Sequence, residues 1–209
     1  VQGIIAGGNT AITDAIEGAE DDFEQGKLDL MKANLTNNDV VVGIAASGRT
    51  PYVLGALEYA NSIGACTGSI CCVSNGKVSS ISKYPIEAIT GPEVITGSTR
   101  MKAGTAQKMI LNMISTSIMI KMGKVYGNLM VDVRPTNTKL KERAKNILIQ
   151  CLKCSYEDAE HLLKEANNNV KLALCMGITK LDKNQCSKLL EESEGHISKA
   201  VQLASRRKC

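Results

Sequence analysis

The sequence predicts an α/β protein whose parallel sheet is covered by helices on both faces, giving three αβα layers, followed by an all-helical C-terminal part. Two observations carry this prediction. Short, continuously apolar, β-branched runs alternate with helical patterns in the first part of the chain. Such runs are typical of strands that are buried on both faces of a parallel sheet. After residue 139 the strand-like runs stop and helical periodicity continues to the end.

The predicted strands precede and follow one clear helix, which is predicted over residues 50–64. The four predicted strands are residues 1–7, 39–46, 66–72 and 84–90. We therefore assign residues 1–135 to a sheet-containing domain and residues 136–209 to a helical subdomain. Because the sequence opens on an apolar run without a methionine, we expect an engineered piece, a processed product or a gene that lacks its first part.

The helical tail contains a weak internal repeat. Residues 155–174 align with residues 182–201 at an offset of 27, so that Leu163, for example, falls on Leu190. Each copy resembles a small helix–turn–helix. Any two helical hairpins share some Leu and Ala spacing, so both a true repeat and a coincidence remain open.

Composition excludes several classes of partner. With 209 residues, of which 44% are hydrophobic and 22% charged, the chain is an ordinary globular protein. The net charge of +4 comes from the tail, but the basic residues alternate with acids and the chain has one Phe and no Trp. We therefore expect no nucleic-acid binding, which needs basic patches and stacking platforms.

The most apolar segment, residues 107–122, is not a membrane span. Asn112 and residues 115–117 interrupt it with polar groups, and Lys108 and Lys121 lie close to its ends. A span needs about 18 or more nearly uninterrupted apolar residues. The segment instead predicts a buried helix of a globular domain, and we expect no membrane partner.

The eight cysteines indicate reduced thiols in the cytoplasm, because no signal peptide or extracellular spacing pattern accompanies them. One set of cysteines could be considered as zinc ligands, namely Cys151, Cys154, Cys175 and Cys186. The spacing of the second pair is wrong for a zinc site and the sequence between looks helical. We therefore predict no metal.

A first candidate site lies where the strand 39–46 ends and the helix 50–64 begins. Ser47, Gly48 and Thr50 bring two hydroxyls and an approachable backbone to a helix start. Helix starts bind phosphate through their unpaired N–H groups. Capping of the helix is the alternative explanation for the same residues.

A second candidate loop precedes the apolar helix and carries hydroxyls and cations. Its residues are Ser98, Thr99, Arg100 and Lys102. Since ligands of parallel sheets bind beyond the carboxyl ends of the strands, the two loops together predict a sugar-phosphate pocket.

Acidic residues are the remaining candidates, because nothing in the chain resembles a nucleophile with its base. His161 and His196 both lie in the helical tail, where core or surface roles are expected. Glu17 and Glu20 share a face if their segment is helical, and residues 21–22 add two aspartates. Most charge runs are solvated, so composition alone promotes none of them.

Two long stretches carry a specific resemblance. "VVGIAASGRTPYVLGALEYANSIGA" and "GPEVITGSTRMKAGTAQKMILNMISTSIMIKMGKVYGNLMVDV" resemble the N-acetylmuramic acid 6-phosphate etherases of bacterial cell-wall recycling. This family belongs to the sugar isomerase (SIS) domain group, together with the glucokinase regulatory protein. The resemblance runs along the whole chain and is least specific in the helical tail.

The resemblance implies an enzyme that removes the D-lactyl ether from C3 of the phosphosugar by elimination and then hydration. It implies no metal or redox cofactor, and a homodimer with sites near the dimer interface. The motif "IEGAED" places the residue that moves the C2 proton at Glu20. Residues 97–104 match the sugar-phosphate loop, and Glu93 in "GPEV" is a candidate to bind sugar hydroxyls, with capping of the next turn as the alternative.

The chain also departs from the family pattern. A G-x-G-T-S-G-R loop and a Ser-Glu-Cys-Pro-Pro motif with a second catalytic glutamate are absent from it. The resemblance places both ahead of Val1, together with a central strand. We therefore expect residues 1–209 alone not to complete the reaction. A phosphosugar-sensing protein without catalysis, and a phosphosugar isomerase, remain alternative functions.

Overall fold

The computed structural model describes residues 1–133 and 135–207 of the chain. These residues form two compact units, Val1–Asn112 and Met113–Cys209. The boundary predicted between residues 135 and 136 stays a prediction.

The first unit is built on a parallel three-stranded sheet with the order β1-β2-β3. Its strands are β1 (Val40–Ile44), β2 (Cys66–Cys71) and β3 (Tyr84–Glu87). Ile70 of the central strand lies opposite Ile44 on one side and Ile86 on the other. The α/β class and three of the four predicted strands are thus confirmed.

Four α-helices and two short 3₁₀ helices begin in this unit. The α-helices are α1 (Phe23–Lys32), α2 (Pro51–Ser62), α3 (Lys77–Ile81) and α4 (Lys102–Lys121), and the 3₁₀ helices are Gly8–Ile12 and Ala19–Asp21. Helix α2 confirms the helix predicted over residues 50–64.

The strand predicted over residues 1–7 is wrong. Residues 1–5 have no regular structure, and the chain then turns into the first 3₁₀ helix through Gly7 and Gly8, both with positive φ. Apolar, β-branched composition favours a strand only where a neighbouring strand pairs with its backbone. Here the side chains of Val1, Ile4 and Ile5 are exposed.

The core of the first unit lies between α2, α3 and one face of the sheet. Leu57, Cys71 and Val78 are completely buried there. The opposite face is less well covered: the central strand is buried, but Val40 of β1 is 67% exposed and Ile44 is 40% exposed. The face of β1 that carries Val40 and Ile44 is therefore open, and both residues line a groove.

Helix α4 confirms the predicted helix but corrects its predicted burial. Only Ala103 and Ile110 of its twenty residues are buried. Its large apolar side chains, including Met109, Met113 and Ile120, are exposed. The apolar composition of residues 107–122 therefore describes an uncovered surface rather than a core helix.

The second unit is nearly all helical, as predicted. A hairpin of β4 (Val125–Tyr126) and β5 (Leu129–Met130), which the sequence analysis missed, precedes the helices. The helices are α5 (Thr138–Leu152), α6 (Tyr156–Glu165), α7 (Val170–Thr179), α8 (Lys183–Glu192) and α9 (Ile197–Arg206). Helix α7 is central, since eight of its ten residues are buried.

The internal repeat is visible in the structure. Helices α6 and α7 have the same lengths as α8 and α9, and every helix end shifts by the offset of 27 found in the sequence. Both copies also start with a capping box, formed by Ser155 with Asp158 and by Asp182 with Gln185. Coincidental Leu spacing would not reproduce helix ends and caps, so the repeat is structural.

The cysteines of the described residues are all free thiols. Cys175 and Cys186 are completely buried in the core of the second unit. Burial, and then the neighbouring Cys186, raise the pKa of the Cys175 thiol. Within residues 1–133 and 135–207, no group of three or more His, Cys, Asp or Glu is placed to hold a metal ion. No helix in that part of the chain is both long and apolar enough to cross a membrane.

Candidate functional site

A groove of about 1050 Å³ runs along the exposed edge of β1 in the first unit. Its walls are the N-terminal segment, the strand itself, the start of α2 and the loop before α4. Four of the predicted site residues line it, namely Glu20, Ser47, Thr50 and Thr99. The volume suits a small ligand such as a sugar phosphate.

The turn after β1 carries Ser47 and Thr50 into this groove. Hydrogen bonds from Ala45 N to Ile70 O and from Cys72 N to Ala46 O, both 3.0 Å, extend the pairing of β1 and β2 into the turn. The turn is thus held by the sheet beyond the end of the strand, at the carboxyl edge where ligands of parallel sheets bind.

Gly48 lies behind the groove rather than in its lining. Its φ is +67°, and a Cβ at this position would lie 2.8 Å from Gly76 Cα. Only glycine fits both the left-handed backbone and this close approach. Gly48 therefore allows the turn to pack against the loop after β2, and its predicted contact with substrate stays a prediction.

The hydroxyls of the turn are not explained by helix capping alone. Thr50 is the N-cap residue of α2, yet its side chain makes no capping hydrogen bond, and Pro51 takes the first helical position. Ser47 Oγ accepts a long hydrogen bond of 3.4 Å from Arg49 N. The capping alternative therefore fails for the Thr50 side chain, which lines the groove.

The loop before α4 repeats this local pattern. Ser98 Oγ accepts from Arg100 N at 3.5 Å, as Ser47 Oγ accepts from Arg49 N. Gly97 and Thr99 line the groove. Ser98, Arg100 and Lys102 belong to the same loop and helix start but are not in the lining, and the Lys102 ammonium donates to Pro92 O at 2.8 Å.

Glu93 caps α4. Its two carboxylate oxygens accept from Lys102 N at 2.9 and 3.0 Å, and one of them also accepts from Ala103 N at 3.2 Å. These backbone hydrogen bonds, the one from Lys102 first, lower the pKa of Glu93. The capping alternative is thus what the structure contains, and contact of Glu93 with sugar hydroxyls stays a prediction.

Glu20 lies in the second 3₁₀ helix and faces the groove with an exposed carboxylate. The expected helical spacing with Glu17 is wrong, because Gly18 between them has a φ of +73° and breaks any continuous helix. Glu20 therefore lies in its own short helix, and its orientation does not depend on Glu17.

A partly buried Asp–Tyr pair, which the sequence analysis missed, joins the helices α1 and α2 next to the groove. Tyr52 OH donates to Asp29 at 2.8 Å, and Gln25 donates to the other oxygen at 2.6 Å. Burial would raise the pKa of Asp29, but the hydrogen bonds from Tyr52, Gln25 and Lys32 outweigh it and lower the pKa. Burial, and then Asp29, raise the pKa of Tyr52 well above its usual value.

The pair fixes the first turn of α2 onto α1. Thr50 directly precedes α2, and Glu20 lies two residues before α1. Sequence reasoning had no signal for this pair, because its members are 23 residues apart. It also missed Gln107 in the groove lining. Gln107 follows the buried Ala103 by four residues and so shares its face of α4, which is the signal that could have found it.

Comparison with known proteins agrees with the geometry. Residues 1–61 match the family profile "Glucokinase regulatory protein N-terminal SIS domain", and this range includes Glu20, Ser47 and Thr50. The class that the parallel sheet and its groove define is therefore the SIS domain.

Three relatives illustrate the similarity over nearly the whole chain. The N-acetylmuramic acid 6-phosphate etherase of Clostridium botulinum (strain Eklund 17B / Type B) is 61% identical over 201 residues, covering 96% of this chain and 67% of the relative. The corresponding etherase of Francisella tularensis subsp. novicida is 56% identical, with 94% and 67% covered. N-acetylmuramic acid 6-phosphate etherase 2 of Enterococcus faecalis is 54% identical, with 96% and 68% covered. The chain belongs to the N-acetylmuramic acid 6-phosphate etherase family.

Proposed function

We propose that this protein is an N-acetylmuramic acid 6-phosphate etherase, a carbon–oxygen lyase that acts in the recycling of cell-wall amino sugars. The observation that carries the proposal is the single groove that joins Glu20 to the hydroxyls of Ser47, Thr50 and Thr99 in a chain of this family. A carboxylate beside a cluster of hydroxyls suits proton transfer on a bound phosphosugar.

The phosphate is assigned to the turn between β1 and α2 and to the loop before α4. The Ser47, Thr50 and Thr99 hydroxyls line the groove, and Arg100 follows at the next position of the second loop. Hydroxyl donors and the positive end of a helix hold a phosphate without a metal. Contacts of Ser98 and Lys102 with the phosphate stay predictions, because neither residue lines the groove.

The proton step is assigned to Glu20. Its carboxylate takes the proton from C2 of the sugar, the electrons of that C–H bond form a C2–C3 double bond, and the C3–O bond breaks. The ether oxygen takes up a proton from solvent as it leaves as D-lactate. Water then adds across the double bond: its hydroxyl goes to C3, Glu20 returns its proton to C2, and the remaining proton of the water replaces the one that lactate took up, which gives N-acetylglucosamine 6-phosphate. The overall reaction consumes one water molecule and needs no oxidant or reductant.

Loss of the groove hydroxyls is expected to weaken phosphosugar binding. Ser47→Ala and Thr50→Val should each raise the free energy of binding by about 1 to 3 kcal/mol, the scale for losing a hydrogen bond to a charged group. Calorimetric titration with N-acetylmuramic acid 6-phosphate measures this. Ser62→Ala, at the far end of α2 where the hydroxyl donates to Tyr59 O, is the matched control. Unchanged affinity in both groove variants would contradict the phosphate assignment.

A phosphosugar-sensing protein without catalysis is the second candidate. The match of residues 1–61 to the glucokinase regulatory protein profile and the exposed position of Glu20 favour it. Both functions predict phosphosugar binding. They differ in whether the bound sugar exchanges its C2 proton with solvent.

We further propose a cytoplasmic homodimer. Free thiols at all seven described cysteines suit a reducing compartment. Exposed Met109, Met113 and Ile120 form an apolar stripe along α4, since they are spaced by four and eleven residues on a helix. Exposed apolar stripes of this kind mark interaction surfaces, and a second copy of the same helix is their simplest partner.

Charges on this stripe are expected to prevent dimerisation. Met109→Glu combined with Met113→Glu should give a monomer in sedimentation velocity at concentrations where the parent protein is a dimer, because two carboxylates would be buried without partners. Lys108→Glu, about a third of a turn away from the stripe, is the control and should remain dimeric. A monomeric parent, or a dimeric double variant, would contradict the proposal.

A further inference from the structure

Glu87 occupies a distinctive position at the carboxyl end of β3. Its two oxygens accept hydrogen bonds from the backbone N–H groups of Asn75 at 3.1 Å and Gly76 at 3.2 Å. The nearby Ser79 hydroxyl helps to lower the pKa of this carboxylate. The carboxylate thus holds the loop between β2 and α3, although it is not part of the groove lining.

The loop that Glu87 holds is in direct contact with the substrate-binding turn. Val78 N donates to Gly48 O at 3.0 Å. A Cβ at Gly76 would lie 3.1 Å from Gly48 Cα, so the two backbones pack without any side chain between them. Gly48 is in turn flanked by Ser47 and leads to Thr50. A short chain of contacts therefore runs from the Glu87 carboxylate to the two groove hydroxyls.

We propose that Glu87 is a positioning residue for phosphosugar binding, which fixes the turn of Ser47 and Thr50 from outside the groove through Gly76 and Val78. The proposal rests on the proposed function, since it assigns Glu87 to the same site. An uncharged side chain cannot replace it fully: a glutamine amide has one acceptor oxygen, and its NH₂ would face a backbone N–H that needs an acceptor.

The electrostatics of Glu87 suit this role. The hydrogen bond from Ser79 first, and then the one from Asn75 N, lower the pKa of Glu87. The carboxylate is therefore ionised at neutral pH, where charge-assisted hydrogen bonds to backbone N–H groups are stronger than neutral ones. Two backbone donors from one loop restrict that loop more than a single bond would.

A double-mutant cycle tests the proposal. Glu87→Gln is expected to raise the Kd for N-acetylmuramic acid 6-phosphate about tenfold, which corresponds to about 1.4 kcal/mol. In the Ser47→Ala, Thr50→Val background the same change should raise Kd less than threefold, because the hydroxyls that Glu87 positions are gone. Glu58→Gln, an exposed glutamate of α2, is the matched control and should leave Kd unchanged.

The outcomes separate this inference from the function on which it rests. If the parent protein does not bind the phosphosugar, the proposed function fails and the inference fails with it. If the parent binds and Glu87→Gln binds equally well, or loses the same factor in both backgrounds, only the inference is overturned. Ser79→Ala removes the hydroxyl that contributes most to the lowered pKa of Glu87 and serves if Glu87→Gln unfolds: a rise in Kd of about threefold supports positioning, and an unchanged Kd overturns it.

Discussion

Replacing Gly55 with alanine is expected to destabilise the first unit of the protein strongly. A Cβ at this position of α2 would lie 1.9 Å from the carbonyl oxygen of Phe23, the first residue of α1. Backbone atoms cannot turn away as a flexible side chain can, so the two helices must separate. The free energy of unfolding should fall by about 3 kcal/mol or more, the upper end of the range for overpacked sites.

Gly26→Ala is expected to destabilise the first unit in the same way, because a Cβ at Gly26 of α1 would lie 2.0 Å from Tyr52 O. Thermal unfolding followed by circular dichroism measures the loss. Gly104→Ala is the matched control: Gly104 is also helical, but its Cβ would lie 3.5 Å from the nearest atom, Thr99 O. That variant should be neutral or more stable by up to about 1 kcal/mol. Equal stability of Gly55→Ala and Gly104→Ala would contradict the close helix crossing.

This glycine contact also shows what the sequence could not predict about the fold. Apolar runs located β1, β2 and β3 to within a few residues, because such runs are a local composition signal, and this held even for β3, whose four residues are exposed. The crossing of α1 and α2 leaves no such signal, since it depends on which glycines meet in three dimensions. The strand predicted over residues 1–7 is wrong for a related reason. The composition of these residues favours a strand, but a strand also needs a neighbouring strand to pair with, and composition does not report that.

Some residues of the candidate site could likewise be predicted from the sequence, and others could not. Ser47, Thr50 and Thr99 were predicted because hydroxyls at helix starts have a local chemical reason, and the groove contains all three. Glu20 needed the family motif, since a carboxylate in an acidic run has no local mark of function. Glu87 and the pair of Asp29 with Tyr52 were out of reach, because each acts through contacts between distant segments.

Gly26 and Gly55 affect both the stability of the first unit and the geometry of the candidate site. Glu20 lies two residues before α1, and Thr50 directly precedes α2, so the crossing of these helices sets the distance between the two groups. Asp29 and Tyr52 fasten the same crossing with a hydrogen bond. The spacing of the proton-transfer group and the phosphate-binding turn is thus a property of helix packing rather than of the loops.

Glu20→Gln is expected to abolish proton exchange at C2 of the bound sugar while leaving phosphosugar affinity nearly unchanged. The amide has the shape of the carboxylate but cannot accept the proton, and general-base catalysis contributes roughly 10² to 10⁴-fold to rate. Incorporation of deuterium from D₂O into C2 of N-acetylmuramic acid 6-phosphate, followed by NMR, measures this step alone, separately from release of lactate.

Glu17→Gln is the matched control, because Glu17 belongs to the same segment but does not line the groove. It should exchange deuterium at the parent rate. Exchange in the parent and in Glu17→Gln, with loss in Glu20→Gln, assigns the proton to Glu20 and excludes a protein that only senses phosphosugar. A parent that binds the sugar without exchanging its C2 proton would favour the sensing function instead. Normal exchange by Glu20→Gln would transfer the catalytic role to another base of the groove.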